Sequence, residues 1–170
     1  MKKGFTLIEL MVVISIMGIL SAVLFLAQSS EEKKTVLQMS AFEINQNLRE
    51  VQEMSMGAGE FSCDIDEKAY TYGIHFDDTN TYSFFADCDD DHVFTSADVI
   101  LKQIILSPEV IVYNLSPVSP LDIVFLPPEP VTYINAQETS VNGVITLSLE
   151  NNYSIIKKIK VNAVGLIEIE

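Results

Sequence analysis

The stretch Lys2-Lys3-Gly4-Phe5-Thr6-Leu7-Ile8-Glu9-Leu10 sets a single carboxylate inside an apolar run whose uncharged part continues to Ala27. A charged side chain in a membrane segment costs roughly 2.5–3.5 kcal/mol on insertion scales unless a partner neutralises it, so Glu9 is a functional residue by default. The alternative is that Glu9 lies close enough to the end of the run to reach the headgroup region. An ordinary secretory signal fits poorly. Its apolar stretch is shorter, about 7–15 residues, and Phe25-Leu26-Ala27 makes a poor cleavage site. A lipoprotein anchor would need a cysteine just after the run, whereas Cys63 and Cys88 lie far downstream. A plain signal anchor fits the length, because residues 10–27 at about 1.5 Å each cover most of a hydrocarbon core of about 30 Å, but it gives Glu9 no purpose. Lys2 and Lys3 on the short side place the N-terminus in the cytoplasm and the remainder outside it.

After its short basic leader, Gly4-Phe5-Thr6-Leu7-Ile8-Glu9 resembles the processing signal of type IV pilins, type II secretion pseudopilins and related filament subunits. The resemblance implies cleavage after Gly4 by a membrane-embedded prepilin peptidase and N-methylation of Phe5 as the new first residue. It also implies a partner for Glu9, the Phe5 α-ammonium of a neighbouring subunit, which turns a charge costly in lipid into a registration device.

Beyond Ala27 the chain becomes polar, yet no glycine or proline appears before Gly57, and Leu37, Ala41, Ile44, Leu48 and Val51 recur at spacings of three and four. This predicts an amphipathic helix continuing the apolar one, a rod of roughly 75–80 Å from Phe5 to about Met56. Its first half is apolar all round and suited to other subunits; its second half has one apolar face for its own head domain. Gly57-Ala58-Gly59 ends it. Many major pilins carry a glycine and a proline in the membrane half, whereas this chain has Gly18 and no proline before Pro108, which leans away from a major pilin.

From residue 69 onward the pattern is of short strands. Ala69 to Phe76 and Thr81 to Ala86 flank Asp77-Asp78-Thr79-Asn80 as a hairpin. Segments 99–106, 110–115, 121–126, 131–135, 143–149, 153–162 and 166–169 follow, separated by Ser-Pro, Pro-Pro and Asn-Gly breakers. The expected fold is α+β, a long N-terminal helix on an all-antiparallel β head. It divides into a leader at 1–4, a membrane or filament-core half-helix at 5–27, an amphipathic half-helix at 28–57 and an extracytoplasmic head at 58–170. Over most of the chain this pattern resembles the H-type minor pseudopilins and FimT-like minor pilins.

The head offers one candidate site. In Asp87-Cys88-Asp89-Asp90-Asp91-His92-Val93-Phe94-Thr95-Ser96-Ala97-Asp98, the carboxylates of Asp87, Asp89, Asp91 and Asp98 and the carbonyl of Val93 have the spacing of an EF-hand-like Ca²⁺ loop. His92 stands where glycine normally makes the turn, and Asp98 where a bidentate glutamate belongs. A solvated acidic turn is the competing reading. His75 and His92 are too few for a zinc site. Outside the cytoplasm a disulfide between Cys63 and Cys88 is permitted, with two buried thiols as the alternative.

A net charge of −14 and a pI near 4.3 argue against nucleic acid as a partner. No nucleophile elbow, phosphate-cradling glycine loop or histidine–carboxylate arrangement near a serine emerges, so an enzyme is not expected. The sequence thus predicts a filament subunit held in the inner membrane by lipid before assembly. Its expected partners are the prepilin peptidase, an inner-membrane assembly platform and other pilin or pseudopilin subunits. The competing class is a signal-anchored extracytoplasmic calcium module that recognises a ligand without polymerising.

Overall fold

A computed structural model describes residue 4 and residues 6–57, 61–63, 68–69, 71–77, 80–127, 131–137 and 141–170, with the side chains of 24–31 and 68 outside the description. The chain divides into two compact units, Met1–Thr35 and Val36–Glu170. One helix, α1 (Leu7–Met56), contributes to both.

Between Leu7 and Val23 the described side chains of α1 are exposed and, apart from Glu9, Ser15 and Ser21, apolar, from Leu7 and Ile8 through Ile14 and Ile16 to Leu20 and Val23. The polar side chain of Ser15 is satisfied internally, its Oγ donating to the Met11 carbonyl at 2.8 Å. The sequence expectation started the helix at Phe5, which lies outside the described residues. The structure starts it at Leu7 because Thr6 caps it. Thr6 Oγ1 accepts the Glu9 N–H at 3.3 Å and the Thr6 carbonyl accepts the Leu10 N–H.

In the second unit Leu37, Ala41, Ile44, Leu48 and Val51, the five residues picked out by periodicity, are all at most 1% exposed. They enter one core with two antiparallel sheets. The five-stranded sheet is built from β3 (Thr71–Phe76), β4 (Thr81–Asp87), β5 (Val99–Ile105), β7 (Leu121–Leu126) and β8 (Val131–Ile134), in the order β5-β4-β3-β7-β8. The four-stranded sheet is built from β6 (Val110–Ser116), β9 (Gly143–Leu149), β10 (Asn152–Val161) and β11 (Ile167–Ile169), in the order β11-β10-β9-β6. A ribbon of β1 (Phe61–Ser62) and β2 (Lys68–Ala69), which the sequence pattern does not predict, pairs antiparallel. The helix also makes a polar tie to the sheet, Asn47 Nδ2 donating to the buried Tyr82 hydroxyl at 2.6 Å. Burial pushes that phenol up to about 12, against the opposing effect of the Asn47 hydrogen bond. Gly57 follows the helix as a turn, and Ala58 and Gly59 lie outside the described residues.

The five-stranded sheet is covered on both faces. Ile74, Phe84 and Ile123 belong to the helix-side core, so strand alternation turns Gly73, Phe85 and Val124 to the other side. Phe85 and Val124 flank Gly73 in register and are fully buried. They are covered by the β4–β5 loop, whose Phe94 packs on Phe85 at 5.3 Å and on His75 at 4.6 Å between ring centroids. His92 packs on Tyr133 at 4.0 Å. The loop is also tied covalently: Cys63 and Cys88 form a disulfide, with their Cα atoms 5.9 Å apart.

Two outcomes follow for stability. A Cβ at Gly73 would come within 2.6 Å of Phe85 Cζ and 2.8 Å of Val124 Cγ2, in a place with no room to give. Gly73→Ala is therefore expected to cost about 1–3 kcal/mol in urea unfolding; a variant as stable as the parent would mean that the outer layer is loosely packed. The disulfide closes a sequence separation of 25 residues. Replacing both cysteines by serine is expected to cost about 2–4 kcal/mol, read from the same unfolding curves.

Candidate functional site

The N-terminal signal is built on the helix start. Gly4 is exposed and open: a Cβ there would meet nothing within 4 Å, so the fold itself places no demand for glycine at this position. Phe5 lies outside the described residues. Glu9 occupies the third helical position, where the unsatisfied N–H groups of the first turn favour a negative charge. Thr6 and Glu9 have the spacing of a capping box, a signal present in the sequence and overlooked there. Among the described residues the Glu9 carboxylate has no hydrogen bond or ion pair, and it stands on an exposed turn between Ile8 and Leu10. Among the described residues no helix is long and apolar enough to cross a membrane; the expected span of 10–27 ends among side chains outside the description.

The acidic loop of the head is organised by its own carboxylates. Asp98 closes it, Oδ1 accepting the Cys88 N–H at 2.9 Å and Oδ2 the Thr95 N–H at 2.7 Å. Asp91 Oδ1 accepts the Val93 N–H at 3.0 Å. Thr95 Oγ1 donates to Asp89 Oδ2 at 3.4 Å. Asp87, at the end of β4, has a fully buried side chain; its Oδ2 accepts the His92 N–H and faces His92 Nδ1, both at 3.1 Å. Among the described residues its Oδ1 meets no donor. Burial pushes the Asp87 carboxyl above the ordinary range, partly offset by the His92 hydrogen bonds; burial likewise raises Asp98 against its two N–H donors.

His92, standing at the glycine position of the predicted loop, adopts the left-handed conformation that glycine would supply, with φ 64°; Asp90 does so too, with φ 57°. Asp87, Asp89 and Asp91 each bring a carboxylate oxygen within 4.8 Å of the others. Asp98 stands apart from that cluster, engaged with backbone N–H groups, and the structure gives the Val93 carbonyl no separate role.

One arrangement that linear reading overlooks is assembled by sheet register. His75 Nδ1 lies 2.6 Å from Asp122 Oδ1, and Ser83 is the register partner of His75 on the opposite strand. Among the described residues Ser83 makes no hydrogen bond to the imidazole, and the ring is covered by Phe94. The pair ties β3 to β7 beneath the loop.

Residues 1–25 match the family model of the prokaryotic N-terminal methylation motif. No curated protein gives a significant match. Among solved structures, the type IV minor pilin FimU of Pseudomonas aeruginosa (strain PAO1) superposes with a TM-score of 0.54 at 11% identity, covering 79% of this chain and 87% of that one. At that identity the likeness speaks for the fold: a helix on an antiparallel β head is the pilin architecture. The chain thus joins a prokaryotic methylation motif over residues 1–25 to a fold like that of a type IV minor pilin.

Proposed function

We propose that this protein is a minor subunit of a type IV pilus or related pseudopilus. The prepilin peptidase would cut after Gly4 and methylate Phe5. The segment 5–27 would hold the subunit in the inner membrane, among lipid, with residues 58–170 outside. An assembly platform would then draw it into a filament beside other pilin or pseudopilin subunits. The supporting observation is the exposed apolar surface of Leu7 to Val23 carrying one carboxylate that has no partner among the described residues, behind a methylation motif. In lipid that carboxylate is costly; beside the α-ammonium of a neighbour's Phe5 it becomes half of a buried pair that fixes axial register. Gly18 has nothing within 4 Å of a would-be Cβ, so a neighbouring helix can approach closely there. The acidic, catalytically unremarkable head would make contacts rather than chemistry.

The mature N-terminus tests this reading. Mass spectrometry of the chain from its native membrane is expected to find a first residue of N-methylated Phe5. An intact Met1, or a cut near Ala27, would replace the filament subunit with an anchored, non-polymerising module. Glu9→Gln is expected to be processed normally yet recovered in sheared filaments at roughly a tenth or less of the parental level, since losing the pair removes more than about 1.4 kcal/mol per contact.

The acidic loop is proposed to hold a structural cation. Ca²⁺ would take oxygens from Asp87, Asp89 and Asp91 and the Val93 carbonyl, with Asp98 shaping the loop. The buried Asp87 Oδ1 without a donor supports this, because a cation would supply what no N–H does. Millimolar Ca²⁺ is expected to raise the melting temperature of the full chain in detergent by several degrees, and EDTA to reverse it; an unchanged melting curve would leave a solvated acidic turn.

A further inference from the structure

The same loop presents a second set of donor atoms. Asp87, Asp90 and His92 each bring one ligand atom within 4.8 Å of the others. His92 Nδ1 stands 3.1 Å from Asp87 Oδ2 and 3.8 Å from Asp90 Oδ1. Ligand bonds of about 2.0–2.1 Å in a tetrahedral site put neighbouring donor atoms about 3.3 Å apart. The two observed separations bracket that value.

A second observation concerns the other oxygen of the same carboxylate. Asp87 is 2% exposed, and while its Oδ2 meets His92, its buried Oδ1 has no donor among the described residues. Leaving such an atom unengaged costs about 1–3 kcal/mol, more if charged. Asp87 and Asp90 both line a cleft of about 320 Å³ beside Thr71 and Leu126, which leaves room for a fourth, non-protein ligand. The His92 ring is already positioned by its packing on Tyr133.

We propose that Asp87, Asp90 and His92 form a binding site for a first-row transition ion, with Zn²⁺ as the probe. The inference rests on the reading of the loop as a cation site and names a different ion for it. An imidazole nitrogen suits Zn²⁺, Cu²⁺ or Ni²⁺, whereas Ca²⁺ takes oxygen alone, and Asp87 and Asp90 supply the donors that two histidines alone are too few to provide. The all-oxygen set of Asp87, Asp89 and Asp91 and the mixed set share Asp87, so the two ions compete. Binding needs His92 neutral, with its proton on Nε2 and the Nδ1 lone pair turned to the ion. The bond now facing Asp87 Oδ2 is given up in exchange. Zn²⁺ so held would tie the end of β4 to the turn above it, next to the Cys63–Cys88 disulfide.

The test is a Zn²⁺ and Ca²⁺ titration of the full-length chain in detergent after metal stripping, followed by calorimetry. His92→Asn and Asp90→Asn are suitable variants because asparagine tolerates the left-handed backbone both positions adopt. Both are expected to weaken Zn²⁺ roughly tenfold or more and to leave Ca²⁺ binding unchanged. Asp89→Asn and Asp91→Asn are expected to do the reverse, and Ca²⁺ to displace Zn²⁺ from the parent. Zn²⁺ binding to His92→Asn as tightly as to the parent would overturn the inference. So would Ca²⁺ binding without any Zn²⁺ binding, which would leave the calcium site standing. If neither ion bound, both readings would fall together.

Discussion

The apolar surface of α1 has to be taken out of water, and the chain does this for only part of it. Leu37, Ala41, Ile44, Leu48 and Val51 disappear into the core of the head. At about 25 cal/mol per Å² of apolar surface, five such side chains give the second unit a large share of its stability. Leu7, Ile8, Leu10, Met11, Ile14, Met17 and Leu20 receive no such cover. A single isolated apolar residue on a surface needs no explanation, but a sleeve of them around a helix does. The same helix is thus finished at one end and unfinished at the other. Glu9 is the charged exception within the unfinished part, and its carboxylate gives direction to an otherwise non-directional surface.

The head solves a different problem. A five-stranded sheet with a helix-side core on one face still has a second face to cover, and here the β4–β5 loop covers it. Phe94 lies against Phe85 and His75, and His92 lies against Tyr133. Gly73 leaves the space that the edge of the Phe85 ring occupies. The loop is therefore packed as well as charged. Its exposed carboxylates, Asp89, Asp90 and Asp91, stand above an apolar layer that fixes their positions, and the disulfide holds its first residue. A purely solvated acidic turn would need none of these anchors.

How much of this was legible in the sequence depended on how local the signal was. The helix face was readable residue by residue, because periodicity at three and four is a short-range property. The strands of the two large sheets were readable to within a residue or so, because proline and glycine breakers separate them. The two-residue ribbon of β1 and β2 was too short to show alternation. The Thr6–Glu9 capping arrangement was readable and was overshadowed by the charge of Glu9. Nothing local could have paired His75 with Asp122, since they are joined by the register of β3 against β7 across 47 residues. The acidic spacing was legible, but the division of labour within it was not. Asp98 proved to be a backbone acceptor, Asp87 a buried carboxylate, and His92 the residue that takes the turn reserved for glycine.

Charge and apolar surface then act against each other in any assembly this chain enters. Most of the negative charge lies beyond Thr35, while Leu7 to Val23 carry only Glu9. Packing the helices brings the heads together and concentrates like charge. At physiological ionic strength repulsion decays over about 8 Å, so it is felt only between surfaces nearly in contact. Helix packing acts at contact distance as well, but within the helices. In such an assembly the two forces would divide the molecule by position, helix packing acting along Leu7 to Val23 and repulsion beyond Thr35. A cation in the loop above β4 would reduce that repulsion at the place where three exposed aspartates are closest together. It would thereby link how closely heads approach to which ion occupies the loop.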